Sequence, residues 1–304
     1  MPPHNEEDFP RRLARTAAET DRRLEILLGQ RETRTPPRLL AAMRHALMAG
    51  GKRFRPFLVV EMARLHGGGE AASRAFDVAA ALECVHAYSL VHDDLPAMDN
   101  DELRRGQPTV WKAYDEWTAI LAGDALLTIA FEIVACSGNL AHSVDLIRRL
   151  AVAAGPVGMV GGQMLDLEAE KLGMPRQPTV AHVRRLQSMK TGALLVFACE
   201  AGAIVAGAAP EAVAAAREYG EALGLAFQIS DDLLDVSGEA AVVGKAVGKD
   251  QALGKATLVA VEGVAAARVH LEGAVARALG ALDGLSDEAD LLREAARFQL
   301  SRRN

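Results

Sequence analysis

Apolar positions in this chain recur at intervals of three and four residues, the spacing that lays one stripe along a helix. A helix is expected from about Pro37, with Leu40, Met43 and Leu47 on its stripe, stopping at Gly50-Gly51. A second follows Pro56 and ends at Gly67-Gly68-Gly69, and a long third runs from near Glu70 into His92. The same punctuation marks helices over 115–137, 144–154, 163–171, 179–205, 210–236, 257–282 and 286–302, with Thr179 and Ser286 as N-caps. Alternation of period two, the mark of a strand, is absent. The pattern predicts an all-α fold, and short loops with no linker predict one domain over 1–304. Residues 1–40 read as a helical region without a motif that can be placed.

Composition narrows the function classes. A chain of 304 residues, half of them hydrophobic and only 4% aromatic, can bury a large helical core. Its net charge of −6 gives a nucleic-acid role no electrostatic support. The first 28 residues are charged throughout and hold no apolar segment of the kind a secretory leader needs. No apolar run reaches membrane-spanning length; "GALLVFACEAGAIVAGAA" comes nearest, and Glu200 interrupts it. Cys84, Cys136 and Cys199 lie scattered on apolar helical stretches, fit no metal or disulfide spacing, and read as reduced core residues of a cytoplasmic protein.

Two acidic clusters change the picture. In "FQISDDLLDV", Asp231 and Asp235 are four residues apart and share a helix face, with Asp232 beside them and Gln228 one turn earlier. Two carboxylates about 6 Å apart repel by roughly 3 kcal/mol at an effective dielectric of about 20. On a buried helix a cation would relieve that; on a solvated helix end nothing need do so. The other cluster, "VHDDLPAMDNDELRRGQPT", places Asp93, Asp94 and Asp99 around Pro96. Asp99 is six residues from Asp93, about 240° round an ideal helix, so the two share a site only if the chain turns back. The helix is therefore expected to break near Leu95, with "PAMDND" folding toward Asp93. Oxygen donors without His or Cys suit Mg²⁺, which retains waters and commonly bridges to phosphates. The bland alternative is a polar loop after a helix.

Cations stand close by. Arg104 and Arg105 follow the first cluster at once, and guanidiniums grip phosphate oxygens in pairs. "GGKRFRP" sets Lys52, Arg53 and Arg55 at a helix start, where backbone amides also favour an anion. Lys190-Thr191 sits in apolar "LQSMKTGALLVF", where a lysine either finds an anion or snorkels to water. "VGKAVGKDQALGKAT" carries Lys245, Lys249 and Lys255 among glycines, as a basic flap or as a solvated loop. Two acidic faces, several cationic anchors and an apolar helical interior together describe a site for a diphosphate on an apolar tail.

From Gly50 onward the chain resembles the trans-prenyltransferase (polyprenyl synthase) family, on "GGKRFRP", "HAYSLVHDDLPAMDNDELRRGQPT", "ILAGDALLT", "GGQMLDLEAE", "KTGALL" and "GLAFQISDDLLDV". The resemblance implies a helical bundle around a deep central cavity, usually a homodimer. It assigns Asp93, Asp94, Asp99, Asp231, Asp232 and Asp235 to about three Mg²⁺ ions on an allylic diphosphate. It likewise gives Lys52, Arg55, His86 and Arg105 to isopentenyl diphosphate. Arg104, Lys190, Thr191, Gln228 and Lys249 fall around the allylic partner, with Lys255 beside them. The chain departs from the family at "GKATLVAVEG", where relatives carry Tyr-Pro, so the lysine matches there rest on less.

The implied chemistry is ionisation of an allylic diphosphate, attack by the isopentenyl double bond and loss of a proton. Chain length would be set on the helix bearing Asp93. Ser89 and Tyr88 lie four and five residues before it, about 6 to 7.5 Å deeper. Tyr88, large and rigid beside small Ser89, is the expected floor, and the aromatic with the "PA" insertion matches short-chain members that make farnesyl diphosphate. Geranylgeranyl or geranyl diphosphate remains the alternative product. A class I terpene cyclase would need no second diphosphate pocket, and a non-catalytic partner subunit would be expected to lose aspartates.

Overall fold

Two long helices carry the aspartate clusters at their C-terminal ends: α3 (Phe54–Asp93, 40 residues) and α10 (Pro210–Ser237, 28 residues). The structure is a computed structural model and describes residues 8–137, 140–237 and 257–301. Ahead of α3 come α1 (Phe9–Gly29) and α2 (Pro37–Met48). Between the long helices lie α4 (Val110–Ala113), α5 (Glu116–Ala135), α6 (Leu140–Ala154), α7 (Met159–Leu172), α8 (Val180–Gln187) and α9 (Ala193–Val205). After α10 follow α11 (Leu258–Glu262), α12 (Val264–Gly280) and α13 (Asp290–Ser301). The all-α expectation holds.

The starts and stops follow local chemistry. The side chains of Asp8, Asp115 and Thr179 accept hydrogen bonds from the third residue beyond them, capping α1, α5 and α8. Ser286 precedes a single 3₁₀ turn, Asp287–Ala289, without a side-chain cap. Within α3, Gly68 leaves helical geometry at φ 66° and the helix kinks there into two segments, at the boundary the glycine run predicts. Helix α3 packs on α9, α5 and α1, while α10 packs on α9 and α12. One cluster of buried apolar side chains runs from Phe9 in α1 to Ala296 in α13. Each fully buried Phe57, Phe197 or Leu82 contributes about 1.5–3 kcal/mol. At the centre, the Tyr219 hydroxyl is matched by donating to the Leu292 carbonyl at 2.8 Å.

Within the first forty residues the expected helix is α1, which lays Leu24, Leu27 and Leu28 into the core. Several expectations are corrected. The helix expected over 179–205 is interrupted by a π turn, Ser188–Gly192. The one expected over 257–282 breaks at Gly263, whose φ of 84° suits glycine. Strand is not wholly absent: Leu103–Arg104 (β1) and Gln107–Pro108 (β2) pair antiparallel. Arg105 and Gly106 form their turn at φ 52° and 75°, the positive-φ pair that a two-residue hairpin needs. Cys84 and Cys199 are buried as expected, but Cys136, at the end of α5, is exposed. Three stretches, Glu116–Ala135, His142–Leu172 and Val180–Val205, are long and apolar enough to cross a membrane by length and composition, against the expectation that none would be.

Candidate active site

The first acidic cluster is a folded-back helix end. Helix α3 stops at Asp93, and the Asp99 amide returns to donate to the Asp93 carbonyl at 2.8 Å. Asn100, at φ 55°, closes the turn by donating to the Leu95 carbonyl at 3.0 Å. The Lys171 ammonium at the end of α7 donates to the Met98 carbonyl at 2.7 Å and holds the loop. Asp93 and Asp99 thus share one site, as the break at Leu95 predicts.

The aspartates are not equivalent. Asp94 is buried and takes a bidentate grip from Arg104, with contacts of 2.6 and 2.8 Å to one oxygen and 3.0 Å to the other. By contrast, the Asp93 and Asp99 carboxylates meet no hydrogen-bond donor or cation within bonding reach among the described residues. Burial pushes the Asp93 carboxyl up to about 6; Asp99 and Asp94 add to the effect, and Lys190 and Arg104 oppose it. In α10, Asp231 and Asp235 lie half-buried one turn apart, whereas buried Asp232 accepts from the Gln187 amide at 2.8 Å. Gln228 lies half-buried one turn before them.

The π turn joins the two clusters. It carries Lys190 and Thr191, three and four residues after the Gln187 that holds Asp232. Lys190 donates to Asp166 of α7 and lowers the carboxyl of Asp93 electrostatically. Of the two alternatives the sequence leaves for this lysine, an anion or water, Asp166 supplies an anion. Glycine permits the approach: a Cβ on Gly162 would stand 2.1 Å from the Lys190 amide nitrogen. An inserted π residue rotates the side chains that follow it and recurs at functional sites.

A cationic cluster forms where the start of α3, folded back at Gly68, meets His86 near the helix's C-terminal end. Arg55 Nη1 is 3.4 Å from His86 Nε2, while its buried Nε finds no partner. Arg105 packs its guanidinium over Gly51, where a Cβ would come within 2.4 Å. Neither arginine has a carboxylate at salt-bridge distance among the described residues. Burial lowers the pKa of both, with repulsion between neighbouring guanidiniums adding to it. Burial and then Arg55 and Arg105 push His86 far below its ordinary range, so it is neutral and can accept from Arg55. Lys52 is exposed, its ammonium 6.0 Å from the Phe298 ring. Stacking of Phe54 on Phe227 at 6.0 Å brings this end of α3 against the helix of Asp231.

Arg53 does not share that role. It is buried at 4% exposure and bonds Glu83 at 2.6 Å and Asp21 at 2.8 Å, tying α3 to α1. Below the first cluster, Tyr88 is buried and meets the His92 ring edge-on at 5.6 Å, while Ser89 donates to the His86 carbonyl at 2.9 Å. Lys245, Lys249 and Lys255 lie outside the described residues. Asp166, Gln187 and Gln163 were not singled out in the sequence. Both amide atoms of Gln163, and Oε1 of Gln187, are buried without a partner.

A model of the family described as polyprenyl synthetase matches residues 36–289. The chain belongs to the polyprenyl synthetase family. It is 40% identical over 288 residues to the farnesyl diphosphate synthase of Escherichia coli, covering 93% of this chain and 94% of that one. The farnesyl diphosphate synthase of Geobacillus stearothermophilus is 44% identical over 247 residues, 79% of this chain and 81% of that one. Among solved structures, an FPP/GFPP synthase of Zymomonas mobilis in its apo form superposes with a TM-score of 0.81 at 40% identity, over 94% of this chain and 96% of its own.

The residues present fit a divalent cation shared with a ligand. No three His, Cys, Asp or Glu side chains among the described residues close into a metal cage of their own. What the polyprenyl synthetase chain offers is a desolvated Asp93 with Asp99 beside it, neither matched by a cation, and a second half-buried pair of carboxylates, Asp231 and Asp235. Mg²⁺ characteristically takes one or two carboxylates and completes its shell with water and phosphate.

Proposed function

We propose that this chain condenses isopentenyl diphosphate with dimethylallyl and then geranyl diphosphate, giving farnesyl diphosphate. One observation carries the reading: carboxylates without cations, at Asp93 and Asp99, stand near cations without anions, at Arg55 and Arg105, with Arg104 next in the chain to Arg105 and bound to Asp94, and with Arg55 under the charge of Asp231. That is the complement of metal-bound diphosphate on one side and of a second diphosphate on the other. The similarity to farnesyl diphosphate synthases over most of the chain supports the reaction and its product.

Asp93, Asp99, Asp231 and Asp235 would hold Mg²⁺, while Asp94 and Asp232 orient Arg104 and the Gln187 amide that they already bind. When bound, the metal neutralises charge on the allylic diphosphate and so favours its departure. Lys190 and Arg104 stabilise that same growing charge from fixed positions. The allylic C–O bond breaks with its electron pair going to diphosphate. The isopentenyl double bond then supplies the pair for the new C–C bond, and a proton leaves the adjacent carbon for the released diphosphate. Thr191 and Gln228 offer neutral dipoles to the carbocation. Lys52, Arg55, Arg105 and neutral His86 anchor isopentenyl diphosphate, with Lys249 and Lys255 assigned to the allylic side by the family match. Tyr88, with Ser89 beside it, limits the tail.

The reading also takes the chain as one domain, a homodimer and a cytoplasmic protein without a membrane span. Exposed Trp117, Ile120 and Leu121, one stripe on α5, support a partner surface. Free thiols at Cys84, Cys136 and Cys199 suit a reducing compartment. In the most buried of the three apolar stretches, Val180–Val205, 67% of the apolar window is already inside the fold.

The test is a split of kinetic constants. Lys52→Gln and Arg105→Gln each remove one charge-assisted contact of about 1.5–3 kcal/mol, so the KM for isopentenyl diphosphate should rise about 10- to 150-fold. An unchanged KM for that substrate in both variants would refute the pocket assignment.

A further inference from the structure

A second pocket, of about 570 Å³, opens between α6, α8, α9, α10 and α12, and no residue assigned above to substrate or metal lines it. Five of its lining residues are arginines, Arg148, Arg149, Arg184, Arg217 and Arg277, against two carboxylates, Glu200 and Glu221. Three of the five are compensated. Arg149 and Arg217 converge on one oxygen of buried Glu200, at 2.6 and 2.8 Å. Arg148 donates to Asp145 at 2.7 Å.

Arg184 and Arg277 have no carboxylate partner among the described residues. Arg184 is nonetheless aimed. Its Nη2 stands 3.1 Å from His270 Nδ1, and His270 Nε2 stands 2.7 Å from Glu262. With the Nε2–H donating to Glu262, Nδ1 accepts from the Arg184 guanidinium, which fixes it in place without cancelling its charge. Val152, Val196, Phe197 and Leu225 supply an apolar part of the same lining, while Arg184 and Arg277 are exposed to solvent. Two solvent-facing guanidiniums without carboxylate partners beside an aliphatic and aromatic lining suit an anion with an apolar body.

We infer that this pocket is a second, metal-independent site for an amphipathic phosphate, a prenyl diphosphate in chemical class. Its two carboxylates are already met by arginines, Glu200 by Arg149 and Arg217 and Glu221 by Arg217 at 3.8 Å, unlike the carboxylates of Asp93 and Asp99. Ser188, Met189 and Gly192, from the π turn of Lys190, form part of its wall. The turn is pinned from α7 by Gly162, so an occupant presses on the segment that positions Lys190. That coupling to turnover rests on the proposed function; the binding does not.

The experiment is calorimetric titration of the full chain with farnesyl thiolodiphosphate in excess EDTA, which disables any metal-bridged site. One site per chain is expected. Binding should weaken at least tenfold in the Arg184→Gln/Arg277→Gln double variant and stay unchanged in Lys52→Gln/Arg105→Gln, with circular dichroism confirming that both fold. Absence of metal-free binding, or binding lost only in the second variant, overturns the proposal. Inorganic diphosphate and farnesol should each bind at least tenfold more weakly than the intact probe; equal binding by either overturns the amphipathic assignment. Phosphatidylglycerol vesicles should not sediment with the chain. Sedimentation lost in the Arg184→Gln/Arg277→Gln variant would make the ligand a lipid surface instead. Turnover in the absence of added effector should match the parent in that variant. A parent without turnover would sink the proposed function and leave the binding result standing.

Discussion

Replacing Asp93 with asparagine should abolish function and stabilise the metal-free protein. The carboxyl ordinarily titrates at 3.8 and here at about 6, because burial and two neighbouring aspartates disfavour its charge. Below pH 3.8 both folded and unfolded chains are protonated there, and the residue is neutral in the balance. Between pH 3.8 and about 6 the unfolded chain releases its proton first, so stability falls as pH rises. Above that window the folded state carries the whole penalty, about 3 kcal/mol at most. Asparagine keeps the shape and removes the charge. In EDTA at pH 8, Asp93→Asn should therefore melt several degrees above the parent, and the two should converge near pH 4. With Mg²⁺ and a diphosphate added, the order should reverse, since only the parent gains a bound cation. A variant no more stable than the parent at pH 8 in EDTA would show that Asp93 is not a desolvated carboxylate awaiting a cation.

Three further outcomes follow from the same geometry. Tyr88→Ala should shift the product from farnesyl toward geranylgeranyl diphosphate, read by chromatography, at a stability loss of about 3 kcal/mol; an unchanged product length places the floor elsewhere. Gly162→Ala should lower turnover by orders of magnitude and destabilise by about 1–3 kcal/mol, because the added methyl meets the Lys190 backbone; wild-type kinetics would disprove the tight approach. Gln187→Leu should take the Gln187 amide from buried Asp232 and lower melting temperature and metal affinity together, and calorimetry showing neither change would remove Gln187 from the site.

The sequence carried the helices and both acidic faces because their signals are local. Glycine and proline mark the helix ends, four-residue spacing puts Asp231 and Asp235 on one face, and Pro96 implies the turn that returns Asp99 to Asp93. Contacts between distant segments were not legible. Arg53 reads as a third basic anchor, yet Asp21 and Glu83, 32 and 30 residues away, take it into the core. The π turn at Lys190 has no composition of its own; it arises where Gly162 of α7 lets two backbones meet. Asp166 stood in a quoted motif, and its spacing of three from Gln163 was the one available sign that both share a face. The hairpin at Arg105 was missed because arginine rarely adopts positive φ, and the adjoining Gly106 was the only cue.

The most direct test of the central claim is product analysis. Purified protein would be incubated with Mg²⁺, dimethylallyl diphosphate and labelled isopentenyl diphosphate, and the products dephosphorylated and separated by length. Farnesyl diphosphate is expected as the end product, with no turnover once EDTA is in excess. Labelled isopentenyl diphosphate left unconsumed, condensation that persists in EDTA, or a cyclised hydrocarbon in place of a linear diphosphate would contradict it.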